Sequence, residues 1–134
     1  MRKPGLFIGT AGKKGKGVFT KKPIAANTLI EVAPVIILDT QDRLLVEKTK
    51  LFYYIFEWGE DAKQGVIALG YVSMYNHESP SNCEYEMDYE AETIAIRTMR
   101  DIEAGEELTI NYSAGWDDWK PVWFSEDKKQ KKEK

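Results

Sequence analysis

The chain of 134 residues, 43% hydrophobic and 31% charged, has the ordinary composition of one soluble globular domain. Folding a chain of this length removes roughly two thirds of its unfolded surface from water, enough for a core without metal or disulfide staples. The single cysteine, Cys83, excludes an intrachain disulfide framework and a multi-cysteine zinc module. Apolar runs such as residues 32–38 are far too short to span a membrane, and the first ten residues lack a signal-peptide stretch, so an intracellular soluble protein is expected. The formal net charge of −3 is unevenly spread. Residues 1–22 carry seven Lys or Arg and no acid, residues 125–134 carry five Lys against three acids, and the middle, 23–124, carries 19 acids against 7 bases, or −12. Such a body attracts a cationic partner and repels phosphate backbones, and the basic ends read as solvated flanks, so direct nucleic-acid binding is not expected.

In chain order, Gly5, Gly12, Gly15 and Gly17 punctuate the basic start and predict turns with a short strand or two leading into Val18 and Phe19. Residues 27–38 are rich in Leu, Ile and Val and predict buried strand, with Pro34 belonging at an edge or bulge. Residues 40–50 are polar and predict a helical turn. The aromatic density of 51–58 favours strand. A turn at 59–61, a short strand at 65–69 and a loop-like run from Gly70 to Asn82 follow. Then Glu84, Glu86, Asp88, Glu90 and Glu92 alternate with Tyr85, Met87, Tyr89 and Ala91, the pattern of a half-buried strand with an acidic open face. Residues 93–100 alternate likewise, 101–106 form a turn around Gly105, and 108–112 form a last strand. Many short strands with little room for helices make the fold mainly β.

Three stretches carry the chemistry: Gly15-Lys16-Gly17-Val18-Phe19; Tyr75-Asn76-His77-Glu78-Ser79-Pro80-Ser81-Asn82-Cys83-Glu84-Tyr85; and Gly105-Glu106-Glu107-Leu108-Thr109-Ile110-Asn111-Tyr112. Alone, the glycine pair reads as a turn, without the Lys-Ser/Thr of a phosphate loop, and His77 as a hydrogen-bonded structural residue. His77 and Cys83 also admit a thiol–imidazole reading, although no orienting acid is identifiable.

Together, in this order, the stretches resemble the SET-domain protein lysine methyltransferases over nearly the whole chain, from about residue 12 to 124. NHESPSNC is similar to that family's Asn-His-Ser-x-x-Pro-Asn-Cys signature, and GEELTINY to its Gly-Glu-Glu-Leu-x-x-Asp-Tyr signature. The resemblance implies a β-clip-like fold of several short sheets, with the two signature segments passing through one another as a pseudoknot that brings Asn76 and His77 beside Tyr112. It implies S-adenosylmethionine as cofactor, methyl transfer to the ε-amine of a lysine in a histone, histone-like or other basic protein, and no metal. Carried over by residue, it assigns cofactor binding to Lys16, Gly17, Val18, Phe19, Tyr75, Asn76, His77, Tyr112 and Trp123, catalysis to Tyr112 and Tyr85, and the substrate channel to Tyr85, Ile110 and Tyr71. Gly17 would let the backbone approach the cofactor, where a Cβ would obstruct it.

The residue types suit that chemistry. Methyl transfer from a sulfonium to an amine is an in-line displacement, and the amine must be neutral, which aromatic, desolvating walls promote. The chain departs from the family pattern at Glu78, Pro80 and Asn111, and Val32-Ala33-Pro34 lacks the Tyr-x-Gly that supplies one channel aromatic; Tyr53, Tyr54, Trp58, Tyr71 and Tyr75 are the candidates to replace it, with core packing the expected role of most of them. Ile110, two before Tyr112, predicts a narrow channel favouring monomethylation. The domain is expected to span 1–124, with 113–124 a C-terminal aromatic segment and 125–134 a lysine-rich flexible tail. The expected partner is a lysine-bearing protein or peptide docked along an exposed strand, with a homodimer open and a cytoplasmic location, nuclear in a eukaryote. The alternative is a SET-like binding module with little or no turnover, motivated by Ala33 and Asn111.

Overall fold

The alternating segments build two sheets in the structure, a computed structural model that describes residues 1–112. The described strands are β1 (Leu6–Thr10), β2 (Lys16–Thr20), β3 (Leu29–Leu38), β4 (Ile55–Trp58), β5 (Gln64–Ala68), β6 (Asn76–His77), β7 (Cys83–Asp88), β8 (Thr93–Thr98) and β9 (Glu107–Ile110), with one α-helix, α1 (Thr40–Val46). One sheet has the order β1-β2-β9-β6 and the other β4-β5-β3-β8-β7. The mainly β expectation therefore holds.

Period two explains the core. Along β8, Ile94, Ile96 and Thr98 point inward, and they join Val18, Ile30, Val66, Val72, Leu108 and Ile110, all essentially inaccessible. Each large aliphatic side chain so buried contributes roughly 1.5–3 kcal/mol. Pro34 does not interrupt β3, which continues across it. The strand pairs with β8 up to Pro34 and with β5 from Val35 onward, and the irregularity in register lies between Leu29 and Glu31. The Pro34 carbonyl accepts the Leu69 N–H at 3.0 Å, so the nitrogen that lacks a hydrogen faces the same side, one step past the last β5 pair.

Two other expectations shift. The aromatic run begins as a 3-10 turn, Lys50–Tyr53, because Thr49 Oγ1 caps it by accepting the Leu51 N–H at 3.1 Å; strand starts only at Ile55. The acidic alternation stops being strand at Asp88, where its Oδ1 takes the Ala91 N–H at 2.9 Å and Glu92 adopts a left-handed φ of 57°. Glu90 and Glu92 thus lie in the hairpin loop, while Glu84, Glu86 and Asp88 lie on β7, the outer strand of its sheet. Arg97 meets Glu86 at 3.2 Å and offsets part of that acidity.

β6 and the segment after it are tied to β9 at both ends. β6 lies parallel to β9, with Asn76 opposite Thr109 and His77 opposite Ile110, and the Glu78 N–H donates to the Ile110 carbonyl at 3.0 Å. The chain then turns so that the buried Asn82 side chain grips β9: Oδ1 accepts the Thr109 N–H at 2.8 Å and Nδ2 donates to the Glu107 carbonyl at 2.8 Å. The Asn82 N–H donates to Thr109 Oγ1 at 3.3 Å. This interlock is the pseudoknot that the resemblance implied. Replacing Asn82 by Ala leaves the buried Thr109 N–H and the half-buried Glu107 carbonyl without this partner, so urea unfolding of Asn82→Ala should show a loss of about 1–3 kcal/mol; a loss below about 0.5 kcal/mol would contradict this role for Asn82.

Candidate active site

The interlock opens on a cleft of about 340 Å³, the size of a small-molecule site. Lys13, Lys14, Gly15 and Lys16 form one wall, and Tyr54, Ser73, Met74 and Asn76 the other. The lysine wall is a tight turn, Gly12–Lys14, closed by Gly15 at a φ of 81°. Lys14 Nζ bridges Glu78 Oε2 at 3.1 Å and Glu107 Oε1 at 3.0 Å. Burial alone would lower its pKa, but those two carboxylates hold it above its ordinary value. Asn76 donates both amide hydrogens, to the Lys16 carbonyl at 2.9 Å and to Glu107 Oε2 at 2.8 Å, which fixes its side chain between the walls.

Gly17 is small for a reason internal to the protein. A Cβ there would fall against the Glu107 carboxylate and within 2.7 Å of Asn76 Nδ2, so Gly17 makes room for the bonds that orient Asn76. The groups present suit S-adenosylmethionine: lysine ammoniums and an amide for an amino-acid end, and the Tyr54 ring with the Met74 thioether for an aromatic base.

Next to Asn76 lies a cluster of aromatics. The Tyr112 hydroxyl donates to the Tyr75 carbonyl at 2.9 Å, and the Tyr112 N–H donates to His77 Nδ1 at 3.1 Å. The His77 and Tyr112 rings stack with centroids 5.3 Å apart. Tyr85 donates its hydroxyl to the Tyr112 carbonyl at 3.1 Å. Phe56 meets both tyrosines edge-on, at 5.4 Å from Tyr85 and 6.0 Å from Tyr112. Burial raises the phenol pKa of Tyr112 well above the usual range, helped by neighbouring Tyr54 and Tyr85. It pushes Tyr85 up to about 12, with Tyr89 adding a little. Both hydroxyls therefore stay protonated at physiological pH.

The structure thus brings together Lys16, Asn76, His77, Tyr85 and Tyr112. It places others elsewhere. Val18 is fully buried in the core and Phe19, on the opposite face of β2, stacks on Phe7 at 5.7 Å; the side chains that line the cleft belong to residues 13–16, at and before the start of the strand. The Tyr75 side chain leaves the cleft for Glu31, and only its carbonyl reaches Tyr112. Tyr71 lies under the Arg2 guanidinium, 3.7 Å from its ring centroid. Ile110 is fully buried opposite His77. Trp123 lies outside the described residues, as do 113–124 and 125–134 generally.

The thiol–imidazole reading fails, since Cys83 is fully buried, burial pushes its thiol up to about 12, and His77 Nδ1 is taken by Tyr112. Sequence reasoning missed Lys13, Lys14, Phe56 and Glu107 as site residues and offered Tyr54 only as a candidate channel aromatic; the only signal for Glu107 was its place inside the second signature. Among the described residues no helix is long and apolar enough to cross a membrane.

Comparison with known proteins agrees with the geometry. The family model for the SET domain matches residues 15–113, which include both signatures. A Schizosaccharomyces pombe protein named as a histone-lysine N-methyltransferase specific for H3 lysine 37 is 35% identical over 123 residues, covering 91% of this chain and 78% of the relative. The crystal structure of a Plasmodium falciparum protein, described as a candidate histone methyltransferase, has a TM-score of 0.70 over 90% of this chain and 99% of that one, at 24% identity, a likeness of fold. With its interlocked signatures, its cleft and its relatives in agreement, the chain belongs to the SET-domain family and is a protein-lysine N-methyltransferase that uses S-adenosylmethionine.

Proposed function

We propose that Tyr112 and Tyr85 are the catalytic residues, that the cleft between the lysine turn and Asn76 receives the cofactor, and that the substrate is a lysine of histone H3 in the nucleus. The observation that carries the site reading is the Tyr112 hydroxyl bonded to the Tyr75 carbonyl, one residue from the cleft residue Asn76. The substrate reading is supported by the name of the S. pombe relative and by the acidic outer strand β7, whose Glu84, Glu86 and Asp88 suit a lysine-rich segment.

Bound S-adenosylmethionine supplies a methyl group on a sulfonium, a leaving group that departs as a neutral thioether. The chain's own residues orient and desolvate. The Tyr112 hydroxyl spends its hydrogen on the Tyr75 carbonyl, which leaves its oxygen lone pairs to accept and fixes the hydroxyl by a bond. Tyr85, Phe56 and Tyr112 wall off water, and Phe56 takes the part of the channel aromatic absent from Val32-Ala33-Pro34. A lysine ammonium near pKa 10.4 is neutral in only about one molecule in two thousand at pH 7, and an aromatic wall raises that share. Because the tyrosines stay protonated, neither acts as a base; the amine loses its proton to water before transfer, and holding it in line contributes the rest, about 7–11 kcal/mol at most.

Three measurements follow from this reading. Calorimetry with S-adenosylmethionine and radiolabel transfer to histone H3 should give cofactor affinity in Tyr112→Phe within about threefold of the original and a kcat lower by about a hundredfold or more; unchanged transfer would remove Tyr112 from the chemistry. The rate should climb with pH as the substrate amine deprotonates and show no tyrosine-dependent fall up to about pH 10, since burial keeps the Tyr85 proton to about 12; a fall between pH 8 and 9, in protein that stays folded, would contradict the assignment. Mass spectrometry of the methylated peptide should find mainly monomethyl-lysine if the ring cluster of Tyr85, Phe56 and Tyr112, backed by the buried Ile110, makes a narrow channel, whereas dominant trimethyl-lysine would oppose it.

A further inference from the structure

Strand β3 is a run of aliphatic residues broken by one acid. Glu31 sits between Ile30 and Val32 and is only 1% exposed. A carboxylate taken out of water costs several kcal/mol unless donors replace the water, and here they are specific. Oε1 accepts the Tyr75 hydroxyl at 2.9 Å, and Oε2 accepts the Tyr71 N–H at 2.7 Å. The Arg2 guanidinium, stacked on the Tyr71 ring, stands 3.9 Å from Oε2. Gly70 leaves the space that this requires: a Cβ at its φ of 61° would collide with Oε2. An apolar residue here would leave the Tyr71 N–H and the buried Tyr75 hydroxyl without their acceptor, so the use of the carboxylate is to hold residues 71 and 75.

That use is visible in what the next bond does. Tyr75 is held by Glu31 at its side-chain end, and at its backbone end its carbonyl receives the Tyr112 hydroxyl. Asn76, which follows directly, spans the cleft. We propose that Glu31 is a positioning residue for methyl transfer, clamping residues 71–75 so that the Tyr75 carbonyl holds the Tyr112 hydroxyl in its working orientation. This rests on the reading of Tyr112 as the catalytic tyrosine. Glu31 touches neither the cleft nor the tyrosine cluster itself; it acts through Tyr75.

The test is a double-mutant cycle on single-turnover methyl transfer to histone H3, with folding checked by circular dichroism. Glu31→Gln keeps the shape but has one acceptor oxygen in place of two, so it cannot accept from both the Tyr71 N–H and the Tyr75 hydroxyl. It should lower kcat by about tenfold to a hundredfold with the KM for S-adenosylmethionine within about threefold. In a Tyr112→Phe background, where no hydroxyl remains to be positioned, the same substitution should cost less than about threefold further. A general loosening of the fold would instead lower the rate equally in both backgrounds, and that result would overturn the proposal, as would a folded Glu31→Gln with unchanged kcat. Should Glu31→Gln fail to fold, Tyr75→Phe, which deletes only the hydroxyl that reaches Glu31, decides by the same two comparisons. If Tyr112→Phe alone leaves kcat unchanged, the Tyr112 reading falls and takes this inference with it; loss in Tyr112→Phe but not in either other variant removes this inference alone.

Discussion

The side chain of Asn82 does for β9 what a neighbouring strand would do. Its amide offers one acceptor and one donor, spaced like a peptide group, and they meet the Thr109 N–H and the Glu107 carbonyl at 2.8 Å each. A side chain can make this pair of bonds where no backbone strand fits, at the point where residues 76–82 cross over a strand that arrives some 25 positions later in the sequence. The Thr109 end is buried and the Glu107 end half-buried, so the first bond cannot be exchanged for water without loss.

From that clasp the rest of the site takes its place. Asn82 fixes β9 against the 76–82 segment, and β9 then presents Glu107, whose carboxylate orients both Asn76 and Lys14 on opposite walls of the cleft. Gly17 on β2 is the clearance that lets Glu107 and Asn76 meet. Two positions past the strand, Tyr112 turns back onto His77 and the Tyr75 carbonyl. Stability and chemistry are therefore drawn from the same bonds. The cleft is not grafted onto a finished scaffold but is what the interlock encloses, and the buried Glu31 supports it from the opposite side through Tyr75.

Much of this was legible in the amino-acid sequence, for physical reasons that differ by element. Strands β3 and β8 declare themselves because burial on one face forces a period of two on their apolar residues. The resemblance of the two signatures found Asn76, His77 and Tyr112, and the structure brings them together. What stayed hidden depends on long-range partners. Nothing local tells that Phe56, one aromatic among five in its segment, meets Tyr85 and Tyr112, or that Glu31 is bonded by residues 40 and 44 positions away. The glycine turn was placed correctly, but the cleft lining runs from Lys13 to Lys16, while Val18 and Phe19 are engaged by the core and by Phe7, partners set by the pairing of β2 with β1 and β9. The acidic alternation misled at Glu90 and Glu92 because a strand pattern continues formally through a tight loop, and only the Asp88 turn ends it.

One interlock holds both the wall of the cleft and Tyr112, the tyrosine we propose as catalytic. Amide hydrogen exchange followed by NMR, with and without S-adenosylmethionine, tests it most directly. The Thr109 amide on the Asn82 clasp, the Glu78 amide on Ile110 and the Tyr112 amide on His77 should exchange slowly, with a common opening free energy, and should slow together when the cofactor is added. Independent exchange of the three amides, with only the lysine turn responding to the cofactor, would contradict the account.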